Sequence, residues 1–446
     1  MSKMLNILQQ LESTSSRNEK IDILKNLTTI ESDMFQYMAH QALDPRFDYY
    51  IKNFDMPDYY LGTLSLDFAL MFLNDLDQRL ITGNEARDKL YEIMSKLTEE
   101  DAEVFKRVVK RDLRCGVSAK TINKVWPDAI YIHPYMRASS FSTKNLSKLK
   151  YPCISQTKMD GLYCDIIIDG GTVTYMTRNG SILPFDLWNE EMIEYGLDDI
   201  VLQGEMLAVD GNGEIMDRAL SNGYVNSDDV DQERLRFYCW DAIPLEDFRK
   251  KKCTIPYEQR LTFVTDLKQS QEALGDWFGV VDTMICETAS TVLWHFKNRR
   301  FEGEEGTIVK NTDMVWKDGT SKDQIKVKII AESELEIVNI KEGTGKYVNM
   351  LGAIECKSNC GAVKVSVGTG FSDSQRKDFW SNPEEVIGKV ATIRYNDLIT
   401  NENDRDIYSL FLPRFIEIRT DKDNADDRSK ILEDIETPIN TLKFVE

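Results

Sequence analysis

The chain has 446 residues and a formal net charge of −20. That length predicts several domains with sizeable cores, and the absence of any run of about eighteen apolar residues excludes a membrane-spanning helix. Three histidines (His40, His133, His295) and eight irregularly spaced cysteines argue against a histidine–metal site, a Ser-His-Asp hydrolase or a zinc cluster, so catalysis is expected to rest on Lys, Arg and carboxylates.

No Cys-x-x-Cys pair occurs, and the first ten residues lack a basic stretch followed by an apolar one. Both point to reduced thiols and a cytoplasmic protein without a signal peptide. The acidic balance taken alone argues against a polyanion partner, but binding depends on local charge.

Residues 1–129 contain three glycines (Gly62, Gly83, Gly116) and apolar residues at helical spacing. Leu5, Leu8 and Leu11 form one face, Ile21, Leu24 and Leu27 a second, and Leu64, Phe68, Met71 and Phe72 a third. Asn84 and Thr98 are expected N-caps, and the block reads as an all-α domain. From Lys106 to Lys124, Lys106, Arg107, Lys110, Arg111, Arg114, Lys120 and Lys124 face one acid, Asp112. Lys106, Lys110 and Arg114 recur every fourth residue, so one helix ended by Gly116 is expected to present a basic face to phosphates, with Phe105, Val108, Val109 and Leu113 turned inward.

After Pro127 β-type segments take over. Leu162–Ile168, Asp169-Gly170-Gly171 and Thr172–Thr177 read as a hairpin, and strands are expected at 199–209, 235–243, 306–311 and 324–330, with helical material near 187–195. Beyond about residue 330, five short alternating segments (335–340, 351–356, 362–367, 390–395, 415–418) suggest a small closed barrel of OB type, followed by an acidic terminal helix or tail. The expected architecture is multidomain α+β: an all-α unit over 1–129, an antiparallel-sheet α+β unit over 130–329, and an OB-fold β-barrel over 330–446.

The middle unit carries Lys158 in the run Lys-Met-Asp-Gly, which taken alone reads as a solvated lysine before a turn. Downstream stand groups that could make it a nucleophile. Lys326 and Lys328 disfavour an ammonium beside them, Glu205 and Glu305 offer oxygen ligands to Mg²⁺, and Trp240 can stack on a base. An amine, lysines, two carboxylates and an aromatic suit nucleotidyl transfer at an α-phosphate.

The order Lys-Met-Asp-Gly (158–161), Arg-Asn-Gly (178–180), Gly-Glu (204–205), Trp-Asp (240–241), Glu-Gly-Thr-Ile-Val-Lys (305–310) and Lys-Val-Lys (326–328) resembles the covalent nucleotidyltransferase superfamily. The ending Leu412-Pro413-Arg414-Phe415-Ile416-Glu417-Ile418-Arg419-Thr420-Asp421-Lys422 resembles the last motif of ATP-dependent DNA ligases and capping enzymes. The run Arg111–Ser118, with Asn123-Lys124-Val125-Trp126 after it, is similar to the branch of that ligase family found in T-even bacteriophages.

The resemblance implies an α-helical DNA-binding domain, an adenylation domain and an OB domain that together encircle nicked duplex DNA in replication, repair and recombination. It implies ATP and Mg²⁺ as cofactors, with Lys158 as the nucleophile that forms lysyl-AMP. Nucleotide contacts are implied for Gln156, Tyr163, Arg178, Glu205, Trp240 (or Phe237), Lys326 and Lys328, and Mg²⁺ contacts for Glu205 and Glu305. Arg419 and Lys422 would orient pyrophosphate, and Lys106, Lys110, Arg111, Arg114, Lys120 and Lys124 would bind DNA. A monomer is implied, and no sliding-clamp motif is visible.

Three positions depart from the family pattern: Tyr163 stands where an arginine is usual, Gln203 where an aspartate is, and Thr320 where an arginine often is. A tyrosine can hydrogen-bond a ribose but cannot neutralise charge. RNA ligases usually lack the Arg-x-Asp-Lys ending, capping enzymes lack the helical domain, and NAD-dependent ligases need a cysteine cluster. A non-catalytic clamp would have no reason to keep Lys158, Glu205 and Glu305 together. Gly345-Lys346 is followed by Tyr347, which excludes a phosphate-binding P-loop.

Overall fold

A computed structural model of the chain describes residues 2–441 except 52, 142–144, 146, 187, 217, 226, 228–229, 270–274, 329–330, 402–403, 420 and 423. The N-terminal part is helical: α1 (Lys3–Glu12), α2 (Arg17–Lys25), α3 (Thr29–Leu43), α4 (Leu66–Met71), α5 (Leu73–Asp77), α6 (Gly83–Lys96), α7 (Glu99–Val109) and α8 (Ala119–Val125). Their apolar stripes meet in one core that buries Leu8, Phe35, Leu90, Phe105 and Ile122. Two details differ from expectation. Phe68 and Met71 face outward, at 64% and 61% exposure, because Leu66, Ala69, Leu70 and Leu73 supply the buried side of α4 and α5. The cap of α6 is Thr82 rather than Asn84, while Thr98 caps α7 as expected, its hydroxyl accepting from the Asp101 N–H at 3.1 Å.

The basic face is also shorter than the fourfold spacing suggests. Helix α7 stops at Val109, six residues before the run's Cys115. Arg111 takes the left-handed conformation (φ +54°), and the Asp112 and Arg111 N–H groups donate back to Arg107 and Val108 carbonyls at 3.0 and 2.9 Å. This is a Schellman stop with an arginine where glycine is usual. The Arg111 guanidinium donates to the carbonyl oxygens of Asp44 (2.5 Å) and Phe47, which offsets the strain and ties α7 to the loop after α3. Arg114 therefore sits in a turn (φ +53°), off the helix.

The middle part contains strands β1 (Met136–Ser140), β2 (Cys153–Thr157), β3 (Leu162–Asp169), β4 (Thr172–Thr177), β5 (Ile182–Leu183), β6 (Ile200–Ala208), β7 (Leu235–Pro244), β8 (Lys252–Cys253), β9 (Phe278–Val280), β10 (Thr283–Cys286), β11 (Gly306–Asn311), β12 (Trp316–Lys317) and β13 (Gly319–Lys328). One sheet runs β1-β13-β11-β2-β10 and a second runs β5-β4-β3-β6-β7-β9. The expected hairpin is β3–β4, turned by Gly170 and Gly171, both at positive φ. The sheets are mixed rather than antiparallel, since β1 runs parallel to β13 and β9 parallel to β7.

The C-terminal part holds β14 (Ala331–Glu342), β15 (Leu351–Lys357), β16 (Lys364–Val367), β17 (Val390–Tyr395), β18 (Asp397–Asn401), β19 (Asp404–Phe411) and β20 (Arg414–Arg419). The five expected strands form one sheet, β16-β15-β14-β17-β20, with β18–β19 a separate hairpin. The expected closed barrel is not formed among the described residues. The chain after β16 reaches β20 at one point, where the Phe415 N–H donates to the Thr369 carbonyl at 2.9 Å, and then turns away at Gly370 (φ +101°) before a ladder develops. The terminal segment is a helix, Arg428–Thr441, that buries Ile431 and Ile435 in the core of this sheet. Among the described residues no helix is long and apolar enough to cross a membrane.

Arg111→Ala removes the donor that holds two loop carbonyls. It is expected to lower stability by about 1–3 kcal/mol in urea titration, whereas the exposed Lys124→Ala stays within about 0.5 kcal/mol of the parent. Equal stability of the two variants would contradict the tying role of Arg111.

Candidate active site

Three strands bring the charged groups together. β11 pairs with β2 on one side and β13 on the other, setting Thr157 opposite Thr307 and Gly306 opposite Lys328. Lys158 leaves the end of β2, its backbone N–H donating to the Gly306 carbonyl at 2.9 Å. Its Nζ meets one oxygen of Glu305, and Lys328 Nζ lies 3.4 Å from the other. Gly306 allows this approach, since a Cβ there would lie 2.2 Å from the Val327 carbonyl oxygen and φ is +149°. Burial pushes the Glu305 carboxyl up, but Lys158 and Lys328 outweigh it and hold the group below its ordinary value. Burial lowers the Lys326 ammonium, and the neighbouring Lys328 and Lys158 charges add to the effect.

Glu205 comes from β6, where the pairing with β7 shifts by one residue between Gln203 and Gly204. The Gly161 N–H donates to its Oε1 at 3.0 Å. Gly161 has no room for a side chain, because a Cβ would lie 2.5 Å from the Met206 carbonyl oxygen. Burial raises the Glu205 carboxyl to about 7 against the pull of Lys158, and the Glu305 charge is also felt there.

A cleft of about 360 Å³ opens between the sheets, lined by Gln156, Lys158, Tyr163, Arg178, Glu205 and Trp240 among the expected residues. Trp240 presents its ring to the cleft, tilted against Tyr163 at 5.7 Å between centroids. Phe237, the alternative stacker, is fully buried beneath Gly204 and does not reach the cleft. Gln156 is fixed at both ends of its amide: Oε1 accepts from the Tyr257 hydroxyl at 2.7 Å, and Nε2 donates to Thr283 Oγ1 at 3.0 Å.

The structure adds lining residues that the sequence reading missed. Tyr135 stacks edge-on against Tyr163 at 4.9 Å, with the Arg178 guanidinium 5.8 Å from the Tyr135 ring centre. Lys310 is fully buried at the cleft floor, donates to the Tyr257 hydroxyl at 2.9 Å, and is lowered to about 7 by burial. It ends the Glu-Gly-Thr-Ile-Val-Lys run, which was the available signal. Two departures find explanations: Gln203 lies on the bulge and donates to Asp165 at 3.0 Å, while Thr320 pairs across β13–β1 with Arg137, so an arginine stands on the neighbouring strand.

Other expected residues lie apart from the cleft. Lys326 and Lys328 face a second cavity of about 260 Å³, shared with Arg394 and Arg414 from the C-terminal sheet. Arg419 and Lys422 both grip Glu334 on β14, the latter at 2.5 Å, and Arg419 also pairs with Asp421 at 2.6 Å. In the helical part Lys110, Arg114, Lys120 and Lys124 are exposed, Lys106 pairs with Glu103 at 3.2 Å, and Arg111 is turned into the protein. Among the described residues no group of three or more His, Cys, Asp or Glu side chains forms a metal cage.

Known proteins are similar to this chain in sequence and fold. The family described as ATP dependent DNA ligase domain matches residues 135–328, and the one described as DNA ligase OB-like domain matches residues 342–419. The chain is 26% identical to the DNA ligase of Enterobacteria phage T6 over an alignment of 481 positions that spans 95% of this chain and 96% of that one. It is equally similar, over the same shares, to the DNA ligase of Enterobacteria phage T4. The solved structure named Pmar-Lig_PreS3 is similar with a TM-score of 0.75 at 26% identity, over 94% of this chain and 100% of that chain.

The raised Glu205 carboxyl has a consequence for stability. Its folded value, about 7, lies above its ordinary 4.5, so its contribution is full below about pH 4.5 and is lost as pH rises through 7. Glu205→Gln keeps the acceptor for Gly161 and removes the titration. In chelator, the variant is expected to match the parent near pH 5 and exceed it at pH 8 by up to about 3 kcal/mol, read by urea denaturation. A difference that stays constant from pH 5 to 8 would contradict burial as the cause.

Proposed function

We infer that this chain, which belongs to the ATP-dependent DNA ligases, seals nicks between a 5′-phosphate and a 3′-hydroxyl in duplex DNA through a lysyl-AMP intermediate. One observation carries the reading: the Lys158 amine lies against Glu305 at the mouth of a cleft walled by Trp240 and Tyr163. A lysine, a carboxylate and a base-stacking wall in one place suit an amine that attacks a nucleotide's α-phosphorus.

In the first step Trp240 receives the adenine face, Gln156 offers its fixed amide to the base edge, and Arg178 approaches the ribose and phosphates. Lys158 Nζ, once neutral, attacks the α-phosphorus. The bond to the β-phosphate oxygen breaks, pyrophosphate leaves, and a phosphoramidate remains on Lys158. Lys326 and Lys328 neutralise charge on the α-phosphate. Arg419 and Lys422 orient the pyrophosphate, which requires them to leave Glu334 and the C-terminal sheet to swing toward the cleft. In the second step a nick's 5′-phosphate oxygen takes AMP from the lysine. In the third the 3′-hydroxyl, losing its proton, attacks the phosphorus of the nick's 5′-phosphate and AMP departs, leaving the phosphodiester.

The donor set fits Mg²⁺, which favours oxygen ligands and substrate phosphates. Glu205 and Glu305 would hold it; they sense each other's charge, and a cation beside the buried Glu205 would restore its ionised form. The metal supplies charge neutralisation at the phosphates. Lys106, Lys110, Arg114, Lys120 and Lys124 contact the DNA backbone, while Arg111 shapes the surface that carries them. The enzyme acts as a monomer in the cytoplasm, in replication, repair and recombination.

Incubation with α-labelled ATP and Mg²⁺ is expected to label the parent protein and not Lys158→Ala, and only the parent should seal a nicked duplex. Label retained by the variant, or label transferred from GTP alone, would overturn the adenylating-lysine assignment. Removing charge at Lys106, Lys110 and Arg114 together is expected to weaken nick binding, lower the slope of log affinity against log salt by about 2–3, and leave self-adenylation intact. An unchanged slope would return these residues to an ordinary solvated surface.

A further inference from the structure

Tyr163 occupies the position where related enzymes place an arginine, yet its hydroxyl does not point at the nucleotide cleft. It donates to Asp165 Oδ1 at 2.7 Å and accepts from Gln203 Nε2 at 2.8 Å. The other Asp165 oxygen lies 2.6 Å from His133 Nε2, and His133 Nδ1 lies 2.8 Å from the Tyr131 hydroxyl. Asp165 is fully buried and His133 is 5% exposed. Beyond them, the Tyr131 N–H donates to Asp44 Oδ2 at 3.2 Å, in the loop that Arg111 also holds. The polar chain thus starts at the helical domain and ends on a ring that faces the cleft. The ring is bracketed by Tyr135 at 4.9 Å and Trp240 at 5.7 Å.

We propose that Asp165, held by His133, is a positioning residue that locks Tyr163 so that the nucleotide meets an aromatic face, and not a charged side chain, at this position. The physical basis is desolvation. A carboxylate buried this deeply must keep hydrogen-bond donors, and the hydroxyl of Tyr163 and the amide of Gln203 are the two on the cleft side. The ring is therefore pinned by its far end and held at one angle against Trp240. A free tyrosine would turn its hydroxyl outward to the ribose. Losing the pin would let the ring rotate into the space that Trp240 leaves for the base.

This assignment rests on the adenylation reading, and the test separates the two. Rates of self-adenylation are measured with α-labelled ATP and with α-labelled 2′-deoxy-ATP over a range of concentrations, for the parent, Tyr163→Phe, Asp165→Ala, the double variant and Asp165→Asn. Asp165→Ala is expected to raise KM about tenfold with kcat within threefold, and Asp165→Asn, which keeps an acceptor for Tyr163 and a polar edge for His133, to recover most of that loss. Tyr163→Phe keeps the ring and loses only the pin, so its KM should rise in the same sense, equally for both nucleotides, and the double variant should be no worse than Asp165→Ala alone. A Tyr163→Phe defect seen with ATP and absent with 2′-deoxy-ATP would assign the hydroxyl to the ribose and overturn the proposal. So would multiplying effects in the double variant, or an unchanged KM in Tyr163→Phe, which remains readable if Asp165→Ala fails to fold. A parent protein that takes no label refutes the adenylation reading; a labelled parent with unaltered variants refutes the positioning role alone.

Discussion

The pairing of β11 between β2 and β13 is the constraint on which the site depends. Strand registry sets Lys158, Glu305 and Lys328 at neighbouring ends of three strands, and one carboxylate then bridges two ammonium groups. A shift of one residue in either ladder would turn the functional side chains to the opposite face. Gly306 makes the close approach possible, because the carbonyl of Val327 already occupies the place of a side chain. The arrangement costs desolvation at Glu305, which the two lysines offset.

Around that charged triad the cleft is built from groups held from behind. Gln156 is fixed by Tyr257 and Thr283, Tyr163 by Asp165 and Gln203, and the Gln203 carbonyl by the Trp316 indole N–H at 2.9 Å. These bonds are buried or partly buried, where an unpaired polar group is expensive and a paired one is rigid. Rigid walls suit a site that must hold a nucleotide for in-line attack. The C-terminal sheet contrasts with this. Its arginine and lysine are paired with Glu334 on their own sheet, so engaging a phosphate means exchanging one anion for another rather than exposing bare charge.

Much of the chemistry was legible in order along the chain. Lys158, Arg178, Glu205 and Trp240 all line one cleft, Glu305 pairs with the lysine and Lys328 with Glu305, because short motifs built around glycines such as Gly161 and Gly204 leave a local signature. Less legible were residues whose role comes from the far side of a sheet. Lys310 is one, buried under the cleft, and Tyr135 another, brought over by β1 pairing with β13 across about 180 residues. Arg111 misled the reading, since its charge matched a phosphate stripe while its backbone was ending a helix. The closed barrel failed for a related reason: alternation reports a strand and not whether its edge finds a partner.

By itself the sequence determined the class of fold, the succession of a helical unit and two β-rich ones, and the motif series that Lys158 opens, since periodicity and short motifs depend on neighbours in the chain. Tertiary structure alone decided which carboxylate touches that lysine, which way the Tyr163 hydroxyl turns, and which basic residues remain free for a phosphate. Those outcomes depend on desolvation and hydrogen-bond satisfaction among residues far apart in sequence, as in Tyr131, His133, Asp165 and Gln203, and no local pattern encodes them.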